Sequence, residues 1–186
     1  VEACTANDVI LAITPEAVRR PVAEGILTLI FALAKNLYKL DKACRAGYWR
    51  ENLSRNSQNI EGKTLGSVGA GNIAGEMFRM ARAVGFGRLL AYDPFVSEAP
   101  EGVELTDLER VLRESDFVAV NCPLTDQTRD LISRRELGWM KPTAYLINTA
   151  RGPVVHEAAL VEALLQGRIA GAGLDVFETE PVESGN

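Results

Sequence analysis

Residues 63–93 decide the fold, and they read KTLGSVGAGNIAGEMFRMARAVGFGRLLAYD. The segment 63–68 is short and apolar enough to form a buried strand, and the glycine-rich residues 69–74 follow it as a tight turn. Apolar residues within 73–84 recur every three or four positions, which predicts an amphipathic helix. A pair of glycines ends this helix, and residues 88–92 predict a second strand.

The spacing of small residues in the turn predicts contact with a dinucleotide. Gly69 allows the chain to leave the strand in a tight turn, and Gly71 has no Cβ, so that a pyrophosphate can approach the backbone. Ala74 stands at the third glycine position and is small enough for the helix to pack closely on the strand. The start of the helix presents free N–H groups and the positive end of its dipole to the phosphates.

Asp93 is the acid expected after the second strand, nineteen residues beyond Ala74. Its carboxylate is expected to accept hydrogen bonds from both hydroxyls of the adenosine ribose and to repel a 2′-phosphate. We therefore predict NAD rather than NADP as the cofactor. A glycine-rich surface turn without a ligand is the alternative, and the two strands, the helix and the acid together argue against it.

The composition excludes several classes of function. The chain has 186 residues, of which 47% are hydrophobic and 24% charged, as is typical of one soluble globular domain. A formal net charge of −5 gives no electrostatic case for binding to nucleic acid or to an anionic membrane. The longest apolar run, 25–34, is too short to span a bilayer. The scattered cysteines Cys4, Cys44 and Cys122 suggest neither disulfides nor a metal site, so we predict no metal and a cytoplasmic location.

The first fifty residues predict a short strand and a long helix. Asp8–Ile13 is a short apolar run that fits a strand. A helix follows residues 14–16, and Pro21 is expected in its first turn, where a missing N–H costs nothing. Between residues 26 and 40 this helix is apolar on nearly every side, so every side must be covered. Either a second subunit or the domain itself provides the cover, and we predict a homodimer through the helices of Pro21–Trp49.

The rest of the chain alternates strands with helices, which predicts an α/β fold with a doubly wound, Rossmann-type parallel sheet. The predicted elements are a helix that opens at 106–109, a strand at Phe117–Asn121, a helix that opens at 133–136, a strand at Thr143–Asn148, a helix at Glu157–Leu165 and a strand at Ala170–Leu174. Ligands of such sheets bind outside the carboxyl ends of the strands. The candidate site residues at such ends are Gly69, Asp93, Cys122, Arg151 and Asp175.

Two motifs near the end of the chain carry a family resemblance, NTARG at 148–152 and LDVFETEP at 174–181. With these motifs the chain resembles the D-isomer-specific 2-hydroxyacid dehydrogenases, which include D-3-phosphoglycerate dehydrogenase, glyoxylate/hydroxypyruvate reductase, D-lactate dehydrogenase and formate dehydrogenase. The resemblance covers nearly the whole chain, including residues 68–73, 121–125 and 141–142. It implies NAD-dependent interconversion of a small D-2-hydroxy acid and its 2-keto acid by hydride transfer.

The resemblance implies catalytic roles for two residues. Arg151 is expected to hold the substrate carboxylate and to polarise the 2-keto oxygen, for which a planar guanidinium is suited. Glu180 is expected to pair with the catalytic histidine and to raise its pKa, so that the histidine serves as proton donor. Without the resemblance, the sequence favours the plainer interpretation of each residue: Arg151 as a surface arginine after a strand, and Glu180 as a solvated loop acid.

The resemblance also implies a set of cofactor-binding residues. Asp175 is expected to accept a hydrogen bond from the nicotinamide carboxamide and so to orient the ring. Asn72 and Ile73 are expected to meet the pyrophosphate through their backbone groups. The remaining implied residues belong to the adenine and nicotinamide sides of the cleft, and they are Cys122, Pro123, Thr128, Thr149 and Ala150.

The chain departs from the family pattern in its histidine and in its extent. The family's catalytic histidine follows the position of Glu180 in a Pro-His segment, and the sole histidine here, His156, is not assigned to catalysis. Residues 1–14 are expected to be a remnant of the substrate-binding domain, and residues 15–186 the NAD-binding domain of a two-domain enzyme, truncated at its C-terminal end. We therefore expect this polypeptide alone to bind NAD weakly without turnover.

Two other functions compete with the dehydrogenase. The first is a non-catalytic, NAD-responsive dimeric binding protein, similar to the transcriptional corepressors related to this family. The presence of Arg151 and Glu180 favours the enzyme, although such corepressors can keep these residues. The second is another Rossmann protein that binds a different adenine nucleotide. Asp175 and the 148–152 motif argue against this second alternative.

Overall fold

The computed structural model describes residues 1–49 and 57–182, which contain one parallel sheet of six strands. The strands are β1 (Thr64–Val68), β2 (Arg88–Tyr92), β3 (Glu104–Leu105), β4 (Phe117–Val120), β5 (Tyr145–Asn148) and β6 (Gly171–Leu174). Their order across the sheet is β3-β2-β1-β4-β5-β6, and each neighbouring pair is parallel. This is the strand order of the dinucleotide-binding Rossmann fold, so the predicted fold class is confirmed.

Helices cover both faces of the sheet. They are α1 (Glu2–Ala6), α2 (Pro15–Ala34), α3 (Leu37–Arg45), α4 (Asn72–Ala83), α5 (Leu108–Glu114), α6 (Arg134–Trp139) and α7 (Glu157–Leu165), with a 3₁₀ turn at Gly152–Val154. Helices α2 and α4 pack against each other and form one hydrophobic core with one face of the sheet. Helices α5, α6 and α7 contribute to a second core on the other face. The sheet is therefore doubly wound, as predicted.

Strand β4 shows why this sheet must be covered twice. Phe117 and Ala119 belong to the core beneath α2 and α4, and Val118 and Val120 belong to the core on the opposite face. Successive side chains of a strand point to opposite faces, so a strand that is apolar throughout is stable only between two layers. The Phe117 ring stacks on that of Tyr145, with ring centroids 5.4 Å apart.

The helix caps follow from local sequence chemistry. The side chain of Asp107 accepts a hydrogen bond from the backbone N–H of Arg110 at 2.8 Å and begins α5. At the start of α6, the carboxylate of Glu136 accepts from the N–H of Ser133 at 3.2 Å. These bonds satisfy N–H groups that would otherwise lack partners at a helix start. Both predicted capping patterns are thus confirmed, as are the predicted bounds of β2 and α7.

The N-terminal predictions need two corrections. Asp8–Ile13 is not a strand: it has no regular secondary structure, and Ile10 is 95% exposed. An apolar run forms a strand only where a neighbouring strand takes up its hydrogen bonds, and none pairs with it here among the described residues. Pro21 lies inside α2 rather than in its first turn, because the helix begins at Pro15.

Helix α2 is covered largely by its own domain. Ile26 and Ile30 are fully buried in the core with α4, whereas two large apolar residues of this helix stay exposed, Val18 at 51% and Phe31 at 37%. Beyond α2, Tyr38 and Trp49 are mostly exposed. The homodimer through Pro21–Trp49 stays a prediction. No helix in the described ranges has the length and apolar character needed to cross a lipid bilayer.

Two glycine substitutions test the packing. A Cβ on Gly66 of β1 would overlap the Ser115 hydroxyl and lie 2.8 Å from Val111 Cγ1, so Gly66→Ala should lower the free energy of unfolding by about 1–3 kcal/mol. A Cβ on Gly25 of α2 meets no atom of the described part of the chain within 4 Å, and Gly25→Ala should raise that free energy by about 0.5–1 kcal/mol. Urea unfolding measures both, and equal midpoints for the two variants would contradict the packing described here.

Candidate functional site

The candidate site lies at the carboxyl edge of the sheet, between β1 and β4. After β1 the chain enters α4 on one face of the sheet. After β4 it enters α6, which covers the opposite face. The crevice at such a switch in strand order is the usual ligand site of an open α/β sheet. Gly69 follows β1 at this point, and Asn121 and Cys122 follow β4.

The turn after β1 requires glycine at its first position. Gly69 has a φ of +106°, and a Cβ there would lie 2.8 Å from the carbonyl carbon and oxygen of Asn121. A hydrogen-bonded chain supports the turn: the Asn121 side-chain amide donates to the Ser67 hydroxyl at 2.9 Å, and Ser67 donates to the Gly69 carbonyl at 2.6 Å. The backbone at this edge is therefore held in one conformation.

The start of α4 is free to bind an anion. Gly71 is its N-cap and supplies no side-chain hydrogen bond, and the first turn of the helix has no acidic residue. The first N–H groups of a helix lack intrahelical partners and carry the positive end of its dipole. A Cβ built on Gly71 meets no atom of residues 1–49 and 57–182 within 4 Å, so these residues leave the space above the turn open. These features fit the diphosphate of a dinucleotide, which would approach the N–H groups of Asn72 and Ile73.

Asp93 lies beside this turn and is held in place by two backbone groups. Its Oδ2 accepts from the N–H of Ala70 at 2.9 Å, and its Oδ1 accepts from the N–H of Phe95 at 3.0 Å. Each carboxylate oxygen has two lone pairs, so each retains acceptor capacity for a hydroxyl. The arrangement fits the ribose role that the sequence predicts for Asp93.

A cleft of about 420 Å³ opens on the outer side of Asp93. Its walls come from the end of β2 and from the loop after β4, and they include Cys122, Pro123 and Thr128. The Thr128 hydroxyl donates to the Pro123 carbonyl at 2.6 Å and accepts from the Thr125 N–H at 2.7 Å. Thr128 therefore shapes the loop that walls the cleft, which is a more specific role than the sequence predicted.

A second cleft, of about 620 Å³, lies on the other side of the glycine turn. The predicted site residues that line it are Ile73, Cys122, Pro123, Thr149, Ala150 and Arg151. Val18 and Val22 of α2 supply an apolar wall that the sequence did not predict. The Thr149 hydroxyl is buried and has no hydrogen-bond partner among the described residues, and a buried polar atom without a partner favours a polar ligand beside it. The nicotinamide carboxamide fits this need.

The turn that carries Arg151 is built by a buried asparagine. Asn148 donates from its side-chain amide to the Arg151 carbonyl at 3.0 Å and accepts from the Ala150 N–H at 3.1 Å. Arg151 itself is exposed, and its guanidinium donates to the Ala150 carbonyl at 2.6 Å. The sequence motif included Asn148 without assigning it a role. The structure shows that Asn148 fixes the backbone of the turn that carries Arg151.

Asp175 and Glu180 lie outside the two clefts, on the loop after β6. The N–H of Asp175 donates to the Asn148 carbonyl at 3.0 Å. Glu180 is exposed and accepts from the Phe177 N–H at 2.9 Å, while the Glu178 N–H donates to the Glu157 carboxylate at 2.9 Å. The carboxylate of Glu180 thus closes a turn of its own loop. The loop is fastened to the start of α7 beside the 3₁₀ turn.

His156 and the acidic residues do not form another centre. The Nδ1 atom of His156 accepts from the N–H of Ala159 at 3.2 Å and caps α7. Within residues 1–49 and 57–182, no three side chains of histidine, cysteine, aspartate or glutamate are grouped so that they could hold a metal ion. The sheet edge thus offers backbone N–H donors, the Asp93 carboxylate and the Arg151 guanidinium beside two clefts.

Comparison with known proteins identifies what the chain is similar to. Residues 27–186 match the family described as "D-isomer specific 2-hydroxyacid dehydrogenase, NAD binding domain". A glyoxylate reductase of Korarchaeum cryptofilum is 41% identical over 189 residues, covering 98% of this chain and 56% of the relative. A hydroxypyruvate reductase of Thermotoga maritima is 39% identical, covering 90% and 54%. The chain therefore spans about half the length of these relatives.

A solved structure also resembles this fold. The crystal structure of D-lactate dehydrogenase with NAD⁺ from Lactobacillus jensenii matches 96% of this chain and 54% of its own, with a TM-score of 0.87 and 30% sequence identity.

Cysteine alkylation tests the geometry of the clefts. Burial raises the pKa of the Cys122 thiol to about 11, and the nearby Asp93 carboxylate adds to the rise. At pH 8 only about one such thiol in a thousand is ionised, and that fraction should rise about tenfold per pH unit up to pH 10. Iodoacetamide labelling followed by mass spectrometry should therefore show slow, steeply pH-dependent modification of Cys122.

The exposed Cys44 serves as the internal reference in the same sample. Because Cys122 lines both clefts, NAD should slow its labelling further and leave that of Cys44 unchanged. A labelling rate for Cys122 that levels off below pH 9, or that NAD does not alter, would contradict the placement of this residue.

Proposed function

The chain belongs to the D-isomer specific 2-hydroxyacid dehydrogenase family and comprises its NAD-binding domain, and we propose that the protein interconverts a small D-2-hydroxy acid and its 2-keto acid with NAD. The predicted family, fold class and cofactor are confirmed. The activity is proposed for the protein as a whole, since this chain spans about half of its curated relatives. Two of those relatives are named as a glyoxylate reductase and a hydroxypyruvate reductase, which supports a small 2-keto acid as substrate.

The observation that carries this proposal is the pair of clefts that meet at the glycine turn. One cleft ends at Asp93 and the other at Arg151, and Cys122 and Pro123 line both. An extended dinucleotide needs this arrangement, with its diphosphate at the start of α4 and its two bases on opposite sides. Bound NAD supplies hydride chemistry, and the protein supplies orientation and electrostatics.

Arg151 is the proposed substrate-binding and catalytic arginine. It lines the second cleft, which we call the nicotinamide-side cleft. Its side chain is exposed, and within the described ranges it makes a single hydrogen bond, to the Ala150 carbonyl. A guanidinium has five N–H donors in a planar fork, so most of them remain available for a carboxylate and a keto oxygen. Asn148 holds the turn in which Arg151 sits, which fixes the direction from which the cation reaches the substrate.

Glu180 and Asp175 have proposed roles on the loop after β6. Glu180 would pair with a catalytic histidine and raise its pKa, because a nearby carboxylate favours the imidazolium. His156 is not that histidine, since its Nδ1 atom caps α7. Asp175 would accept a hydrogen bond from the nicotinamide carboxamide. We accordingly propose that residues 1–186 bind NAD but do not reduce 2-keto acids by themselves.

A dimeric, NAD-responsive binding protein without catalysis is the second candidate. The exposed aromatic residues Phe31, Tyr38 and Trp49 support it, because they leave apolar surface on the segment Pro21–Trp49. The same surface supports a homodimeric enzyme, and a cytoplasmic location is proposed for either. Turnover of glyoxylate and hydroxypyruvate by the full-length protein distinguishes the two candidates.

Cofactor choice tests the role of Asp93. Replacing a charged acceptor of ribose hydrogen bonds costs about 10–100-fold in affinity, so Asp93→Asn should weaken NAD binding by that factor and narrow the preference for NAD over NADP. Isothermal calorimetry of the 186-residue chain measures both affinities. Asp126→Asn is the control, since it removes an exposed carboxylate from the same cleft and should leave the preference intact. A stronger affinity of the unaltered chain for NADP would refute the assignment.

Turnover by the full-length protein tests Arg151. Arg151→Gln should lower kcat/KM for glyoxylate by about 10²–10³-fold, since a guanidinium that stabilises developing charge is worth that much. The affinity for NAD should stay within twofold. Arg168→Gln is the control, because Arg168 lies before β6 at the other end of the strand and donates to the Gly138 carbonyl. Full activity of Arg151→Gln, or equal losses in both variants, would exclude a catalytic Arg151.

A further inference from the structure

A third cleft, of about 480 Å³, lies against the start of α4. It is separate from the two clefts of the proposed site. Helix α2 supplies Arg19 to one wall, and the glycine turn supplies Gly71 and Asn72 to another. Arg19 is the one basic side chain that lines this cleft in the described part of the chain. The cleft therefore brings a guanidinium from a different helix to the N–H groups at which a diphosphate is expected.

The negative charge of Glu76, which lines this cleft, is balanced by a neighbouring arginine. Glu76 is 10% exposed, and Arg79 donates to it through two hydrogen bonds, at 3.0 and 2.7 Å. Arg20 lies 3.9 Å from the same carboxylate. The pKa of Glu76 is lowered chiefly by the Arg79 hydrogen bond, and the charges of Arg79, Arg19 and Arg20 lower it further, in that order. Arg19 is thus close enough to act on the cleft interior, and it is not required to balance Glu76.

The present partner of Arg19 is easily exchanged. Arg19 pairs with Glu16, one turn earlier on α2, at 2.8 Å, and the two side chains are 42% and 65% exposed. Exposed pairs of this kind contribute little to stability because water and salt screen them. A guanidinium binds phosphate oxygens in the same bidentate geometry as a carboxylate. A diphosphate at the start of α4 can therefore take the place of Glu16.

We infer that Arg19 is a diphosphate-binding residue that contacts the nucleotide from α2, opposite the backbone N–H groups of α4. The inference rests on the proposed function, because it places the diphosphate of the same NAD molecule. Arg19 supplies a full positive charge to a turn whose other donors are neutral N–H groups. It also links cofactor binding to α2, whose Val18 and Val22 line the nicotinamide-side cleft.

Calorimetry on the 186-residue chain, with NAD, ADP and adenosine as probes, tests whether Arg19 binds the diphosphate. Arg19→Gln should weaken NAD and ADP about tenfold and leave adenosine, which has no phosphate, unchanged within twofold. Arg19→Lys should recover part of the loss, because it restores the charge without the planar fork. Raising NaCl should weaken ADP binding less steeply in Arg19→Gln than in the unaltered chain, since one ion contact has been removed.

Arg20→Gln is the matched control, because Arg20 is adjacent on α2 and pairs with Glu24 at 2.8 Å. It should leave all three affinities within twofold, and thermal unfolding should show that both variants fold. Three outcomes would overturn the role of Arg19 without affecting the proposed function. They are a normal ADP affinity in Arg19→Gln, a loss of adenosine affinity equal to the loss of ADP affinity in that variant, and an equal loss of ADP affinity in Arg20→Gln. Absence of NAD binding by the unaltered chain would overturn the proposed function as well.

Discussion

The close approach of Gly69 to the end of β4 is the constraint on which the site depends. Its N–H donates to the Tyr92 carbonyl at 2.7 Å, and a Cβ would lie 2.8 Å from the Asn121 backbone. The turn is therefore fixed between the ends of β2 and β4, and α4 must begin over the switch in strand order. Unpaired N–H groups consequently face the crevice between the two clefts. An anion at this point compensates for them, which links the topology of the sheet to nucleotide binding.

Much of the fold follows from the sequence because its signals are local. The bounds of β2 and α7 match the predictions, since glycines, caps and apolar periodicity lie within the elements themselves. The prediction failed at Asp8–Ile13, where the composition suits a strand but the described chain offers no strand to pair with it. Pro21 was misplaced for a related reason, because a proline can occupy a helix interior when tertiary packing holds the helix.

The site was predictable where one residue type serves one purpose, as with Gly69, Asp93 and Arg151. The roles of Asn148 and Thr128 were not, because their hydrogen bonds join loop segments whose spacing follows no periodic rule. Arg19 was missed for another reason: a charged residue paired three positions along a helix has the pattern of an ordinary solvated face. Only the packing of α2 beside α4 shows that this face borders the glycine turn.

Amide chemical shifts measured by NMR test the central claim most directly. On titration with NAD, the amides of Gly71, Asn72 and Ile73 should shift strongly, because the diphosphate would accept hydrogen bonds from this turn. The amide chemical shifts of α5, which lies on the opposite face of the sheet, should not change. Saturable binding of NAD with unchanged amides at residues 71–73 would contradict the placement of the diphosphate at the start of α4.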